Sequence, residues 1–220
     1  MLFVQAKSTV SRLLILQVYR TSMGPVPLNK HTGDDDEKNT LVLFVLLAFG
    51  TISAEGIKAG IILGSSWAYA IAAPAGYLWD NESLASYGIT GLFYPEHQKK
   101  YEGSKHNMYI NPVEKREGYP TTLSELVSWD ISFFTERNPS LHISHHGEIR
   151  MEGDNIIPVY AFTDSERGFY MLHAYTIEEK ASFMFVMIAR STKERTECEA
   201  AFHELVQSFR YLNQQPNIRQ

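Results

Sequence analysis

The stretch from Leu141 to Ala189 constrains the fold most, because it holds four apolar, β-branched and aromatic segments separated by short polar connectors. Residues 141–151 (LHISHHGEIRM) alternate. If strand phase is kept throughout, Leu141, Ile143, Ile149 and Met151 share one face with His145 and Gly147. Ile156 to Phe162, Phe169 to Ile177 and Ser182 to Ala189 complete the set. The connections around Asp164-Ser165-Glu166-Arg167-Gly168 and Glu178-Glu179-Lys180 are too short for a crossover helix. The segments are therefore expected to run antiparallel through hairpins.

Helices flank this block. Thr122 with Glu125 has the capping-box spacing, and Leu123, Leu126, Val127, Ile131 and Phe134 follow as one apolar stripe up to Asn138-Pro139. Ser191 with Glu194 predicts a second capping box. Cys198, Ala201, Phe202, Leu205, Phe209 and Leu212 then mark one face of a closing helix of about five turns. Upstream, Trp67 to Ala73 reads as a strand ending in the turn Pro74-Ala75-Gly76, with further strands at Ile89 to Tyr94 and Met108 to Val113. The expected order is β-β-β-α-β-β-β-β-α. It makes an α+β fold in which a mostly antiparallel β-sheet packs in layers with two amphipathic helices.

The N-terminal quarter reads differently. After the charged cluster Asp34 to Lys38, Leu41 to Phe49 (LVLFVLLAF) gives nine uninterrupted apolar residues, followed by small residues up to Ala54. This is the pattern of a signal peptide ending near Ala54, and it is short of the roughly 20 residues a membrane span needs. The expected organisation is an N-terminal extension over 1–40 (a start assigned too far upstream, by the simplest account), a signal-like segment over 41–54, and one domain over 55–220. The alternative keeps 41–63 as an uncleaved anchor, which would carry Glu55 and Lys58 into lipid.

Composition removes several function classes. Twenty Lys and Arg against 25 Asp and Glu give a net charge of −5, so no positive excess is present to neutralise a phosphate backbone, and nucleic acid is not an expected partner. The single cysteine, Cys198, allows neither an internal disulfide nor a multi-thiolate zinc site; its place on the helical stripe predicts a buried thiol. No nucleophile elbow, Walker loop, H-E-x-x-H or dinucleotide glycine fingerprint occurs.

The strand and turn WAYAIAAPAGYLW (Trp67 to Trp79), the midchain helix and the closing unit carry a family likeness. That unit runs from IPVYAFTDSERGFYMLHAYTIEEKASFMFVMIAR into EAAFHELVQSFRYL. Over residues 65–212 the chain resembles the PsbP-like superfamily, with its Ran-binding Mog and DcrB-type periplasmic branches, in element order and aromatic placement. The resemblance implies an α/β/α sandwich and a small exported or lumenal protein that assists a larger assembly, without a shared catalytic motif or cofactor. The lipid-anchor cysteine of the DcrB-like branch is absent here. The expected export also separates the chain from the nuclear Ran-binding branch.

Among residues that could carry chemistry, His142, His145 and His146 form the obvious metal-ligand cluster. On a regular strand His145 points away from the other two, which stand roughly 13 Å apart at about 3.3 Å per residue, so a polar sheet face is expected unless a bulge at Gly147 intervenes. Thr163 to Gly168 reads as a hairpin turn, and a triad from Ser144, Asp164 and His173 can be assembled only on paper. His203, four residues after Glu199, reads as its solvent-side partner. Asn81-Glu82-Ser83 is a formal glycosylation sequon. Tyr94, Lys99, Lys100, Tyr101, Lys105 and Tyr109 surround a polar loop and form the expected binding surface, since exposed tyrosine favours protein contacts. The leading expectation is a non-enzymatic exported accessory protein with no cofactor, binding another envelope protein. The alternatives are a metal-binding protein or hydrolase using the three histidines with Glu148, and a membrane-tethered subunit.

Overall fold

The computed structural model describes residues 59–84, 89–98, 101, 104, 106–164 and 166–212. The extension over 1–40, the signal-like segment over 41–54, most of the alternative anchor over 41–63, and Lys99, Lys100 and Lys105 lie outside the described residues. Among the described residues no helix is long and apolar enough to cross a membrane.

Among the described residues ten strands and two α-helices follow in the order β1 (Ala59–Leu63), β2 (Ala68–Ala72), β3 (Tyr77–Asp80), β4 (Thr90–Pro95), β5 (His106–Glu114), α1 (Leu123–Arg137), β6 (His142–Arg150), β7 (Ile156–Asp164), β8 (Phe169–Ile177), β9 (Ala181–Ala189), α2 (Thr192–Ser208) and β10 (Arg210–Leu212), with a short 3-10 turn at Glu152–Asp154 before β7. Seven strands form one sheet in the order β3-β4-β5-β9-β8-β7-β6, and β1-β2-β10 form a second. Neighbouring strands run antiparallel. The α+β class is as expected; the second sheet and the strands β1, β3 and β10 are additions to the expected order.

β9 sits at the centre and is buried along its whole length, the behaviour of a near-continuous apolar run covered on both faces. Successive residues serve opposite sides. Phe183, Phe185 and Met187 pack with Phe202, Leu205 and Val206 of α2 and with Tyr69 and Ile71 of β2. Met184 packs with Leu126 and Val127 of α1 and with Tyr175 of β8. Each of these large apolar side chains contributes about 2 kcal/mol by burial. On the α2 side, Phe183 meets Tyr69 and Phe209 with ring centroids 5.2 and 4.9 Å apart. Gly60 in β1 lets the small sheet close on the large one, since a Cβ there would stand 2.6 Å from the Trp79 ring.

α1 begins as its sequence predicts. The Thr122 hydroxyl accepts from the Glu125 N–H, and the Glu125 carboxylate accepts from the Thr122 N–H. At α2 only half of the expected box forms. Ser191 accepts from the Glu194 N–H, but the Glu194 carboxylate reaches the N–H of Arg190 instead of Ser191. α2 also stops sooner than the apolar spacing implies: Phe209 turns extended (φ −65°, ψ 135°), and Arg210 to Leu212 pair with β2. Phe209 and Leu212 therefore do not continue the helix.

In β6 the expected single phase breaks. Ile143 and His145 lie opposite Phe162 and Tyr160, whereas Gly147 and Ile149 lie opposite Val159 and Ile157, with a bulge between His145 and Gly147. The extra residue moves everything after it to the opposite face. Ile143 and His145 thus look toward α1, while Gly147 and Ile149 look toward α2.

Candidate functional site

Two features of the described structure have the residue types or the shape of a site, and they differ in access. The first lies under α1. Asp130 occupies an inward position of the helical stripe between Val127 and Phe134, and His173 and Tyr175 share the α1-facing side of β8. Its Oδ2 is 2.7 Å from the Nδ1 of His173 and accepts a 2.7 Å hydrogen bond from the Tyr175 hydroxyl. The three residues are 2%, 0% and 1% exposed. Phe162 stacks on the imidazole at 4.3 Å and Phe134 meets it edge-on at 5.3 Å. Burial first, then the charge of Asp130, hold the Tyr175 pKa well above its ordinary value, so the phenol keeps its proton and donates. This acid, imidazole and phenol resemble a catalytic set in composition, but their side chains are buried, Tyr175 alone also bordering the groove described next.

The second is a groove of about 460 Å³ at the far end of the same strands. β7 and β8 pair from Asp164 opposite Phe169 to Val159 opposite Ala174, and no further. β7 continues for Ile156 to Pro158 while still paired to β6, and β8 continues for Tyr175 to Ile177 while still paired to β9. The two strand ends face each other across the groove. Pro158 lies in the splayed stretch and has no N–H to give. Leu123 of α1 and Ile156 form apolar parts of the wall, 36% and 49% exposed.

The polar lining is charged. Arg210 is 2.5 Å from Glu152 and also donates to the carbonyls of Gln207 and Phe209. Glu178 is half-buried; it accepts from the Thr176 hydroxyl at 3.2 Å, and among the described residues no cation lies within ion-pair distance of it. Burial raises its carboxyl pKa, against the lowering by the Thr176 hydrogen bond and the field of Lys115.

The three histidines separate. His142 lies opposite Thr163, His145 meets Tyr160 edge-on at 5.4 Å on the α1 side, and His146 forms a 2.6 Å contact with Glu199 of α2. Glu199 thus pairs with His146 rather than with His203, correcting the expected helix pair. Among the described residues no group of three His, Cys, Asp or Glu side chains is placed to hold a metal ion. Nor do Ser144, Asp164 and His173 form a triad, because His173 bonds Asp130. Asp164 instead ties the hairpin together: its carboxylate accepts from the Asn138 amide, the Ser140 hydroxyl and the Arg167 N–H. Burial raises its pKa, but these bonds and the Arg167 charge outweigh that and leave it below the ordinary value.

The expected tyrosine surface is also corrected. Tyr94 and Tyr109 are 7% and 2% exposed within β4 and β5, and Tyr101 is half-buried, so two of the three tyrosines belong to the interior. Cys198 is fully buried, as expected, with Sγ 3.2 Å from the Met187 sulfur. Asp130 and the groove were not singled out by sequence reasoning. An acid on an apolar helical stripe and a proline inside a strand were the available signals.

Comparison with solved structures finds similar folds. Cyanobacterial PsbP (CyanoP) from Synechocystis sp. PCC 6803 is 14% identical with a TM-score of 0.48, over 75% of this chain and 99% of that chain. The Ran-binding protein Mog1p from Saccharomyces cerevisiae is 11% identical with a TM-score of 0.42, over 70% of this chain and 96% of that chain. A protein from Bacteroides thetaiotaomicron is 14% identical with a TM-score of 0.39, over 72% of this chain and 49% of that chain. No family model and no curated protein matches the chain by sequence. The structures found include a PsbP and a Mog1, the proteins that the expected resemblance names.

Proposed function

We propose that this chain is a non-enzymatic accessory protein that works by binding another protein, after export to the cell envelope or periplasm. The observation that carries the reading is a contrast of access. The cluster with catalytic residue types, Asp130, His173 and Tyr175, has its side chains buried at 0–2% exposure, whereas the groove that Tyr175 borders is open and lined by strand ends that have lost a pairing partner. Sheets recruit polypeptide through such ends. The export half of the proposal rests on the apolar run Leu41 to Phe49 and the small residues up to Ala54.

Two measurements test the two halves. Affinity purification of the full chain from its own cell extract is expected to recover one protein reproducibly and in stoichiometric amount; recovery of nothing above background overturns the binding reading. Mass spectrometry of fractionated cells is expected to find a mature start at Glu55 in the exported soluble fraction. An intact N-terminus in the cytosol overturns export.

A further inference from the structure

We propose that the groove between β7 and β8 takes an extended stretch of polypeptide carrying a basic side chain, which ion-pairs with Glu178; this rests on the protein-binding reading above and names its ligand.

Three features specify the ligand. The first is the main chain. In an antiparallel sheet each inner strand directs alternate N–H and C=O groups to its two neighbours. Beyond Val159 and Ala174, β7 keeps only β6 and β8 keeps only β9, so Ile156 to Pro158 and Tyr175 to Ile177 turn half of their main-chain groups toward the groove. Extended polypeptide matches groups at that spacing, as in strand addition.

The second is size and polarity. A cavity of about 460 Å³ lies within the range of ligand sites and admits a few residues rather than a folded element. Leu123, Ile156 and Ile177 give apolar walls for side chains that alternate along a strand.

The third is charge. Arg210 is already neutralised by Glu152 and held by two carbonyls, whereas Glu178 has a hydroxyl for a partner and, among the described residues, no cation within ion-pair distance, Lys115 reaching it only through its field. The uncompensated charge of the groove is therefore negative, and a Lys or Arg side chain complements it. A charge-assisted bond in a half-buried site is worth about tenfold in affinity.

The test uses the full chain and a peptide carrying fluorescein on its N-terminal amine, fluoresceinyl-Thr-Val-Lys-Val-Thr-Val-amide, against the same peptide with norleucine for lysine, read by fluorescence anisotropy. The lysine peptide is expected to bind about tenfold more tightly. Glu178→Gln is expected to erase that difference while leaving the norleucine affinity unchanged, and Ile156→Ser, which removes apolar wall without adding charge, to weaken both peptides. Ile156 is 49% exposed, so this variant keeps the fold, as circular dichroism would verify. No saturable binding, equal affinities for wild type, or a lysine preference that survives Glu178→Gln would each overturn the inference. Repeating the affinity purification with both variants separates the two proposals. A partner retained undiminished by both leaves protein binding standing and overturns the groove as its site.

Discussion

Asp130 and His173, 43 residues apart in sequence, meet at 2.7 Å between the middle of α1 and the middle of β8, at a depth that water does not reach. The same carboxylate oxygen takes the hydroxyl of Tyr175, two residues along the strand. One helix side chain thereby fixes two strand side chains, and with them the rotation of α1 on the sheet. A leucine at position 130 would suit the apolar stripe equally well, but it would specify neither contact.

Replacing Asp130 by alanine should therefore be costly. It leaves an imidazole and a phenol without their acceptor in a site closed to solvent, a loss of about 3 kcal/mol. The urea midpoint should fall with an unchanged slope, and the melting temperature should drop by roughly 10 °C for a domain of this size. A change below about 0.5 kcal/mol would mean that water or a rearranged helix satisfies both groups.

The cap of α1 was legible because it is local: Thr122 and Glu125 are three residues apart, and nothing distant competes for either. The end of α2 was not. Phe209 and Leu212 continue the helical spacing, but the main chain of 210–212 gains more by pairing with Ala68 to Ala70 of β2, a contact no local pattern encodes. The faces of β6 were misphased for a related reason, since the bulge is a property of the pairing with β7 and Gly147 merely permits it. The groove was the least legible feature. It arises where two registers stop agreeing, and Pro158 is its one local sign.

Cys198 should behave as an inert thiol. Burial, together with the charges of Glu194, Glu199 and Glu197, outweighs a main-chain hydrogen bond and pushes its pKa up to about 12. An aromatic disulfide reagent at pH 8 is expected to label the native protein only as fast as it unfolds, and to label it at once in denaturant. Because the folded pKa lies above that of the unfolded thiol, near 8.5, this residue lowers stability as pH rises from there toward about 12. Cys198→Ala should flatten that decline. Fast stoichiometric labelling without denaturant would show that the α2 face opens.

His146 and Glu199 tie the β6 bulge to α2 at 2.6 Å, with side chains 27% and 29% exposed. At that exposure the pair is worth about 0.5 kcal/mol, so His146→Ala should shift the urea midpoint only slightly. Elemental analysis of the purified protein should give the same metal content before and after the substitution, because His145 faces Tyr160 on the other side of the sheet. A stoichiometric metal lost with His146 would restore the metal-binding alternative.

Glu178 gives the pH dependence that identifies the groove in the free protein. Burial raises its folded pKa above the unfolded value, so the folded state binds the proton more tightly. Its contribution is present in full below the ordinary glutamate range, near pH 4.3, and is lost as pH rises through the folded pKa. Glu178→Gln removes the ionisation and the penalty together. The variant should match the wild type in thermal midpoint at pH 4 and exceed it at pH 7, with the gap opening just above the ordinary glutamate range. Since Thr176 donates to this carboxylate, Thr176→Val should widen the penalty at pH 7 in the wild-type background, whereas in Glu178→Gln, whose amide oxygen accepts the same bond, its effect should not vary with pH. Equal midpoints for Glu178→Gln and wild type across that range would place the carboxylate in open water, without the desolvation that an incoming cation would relieve.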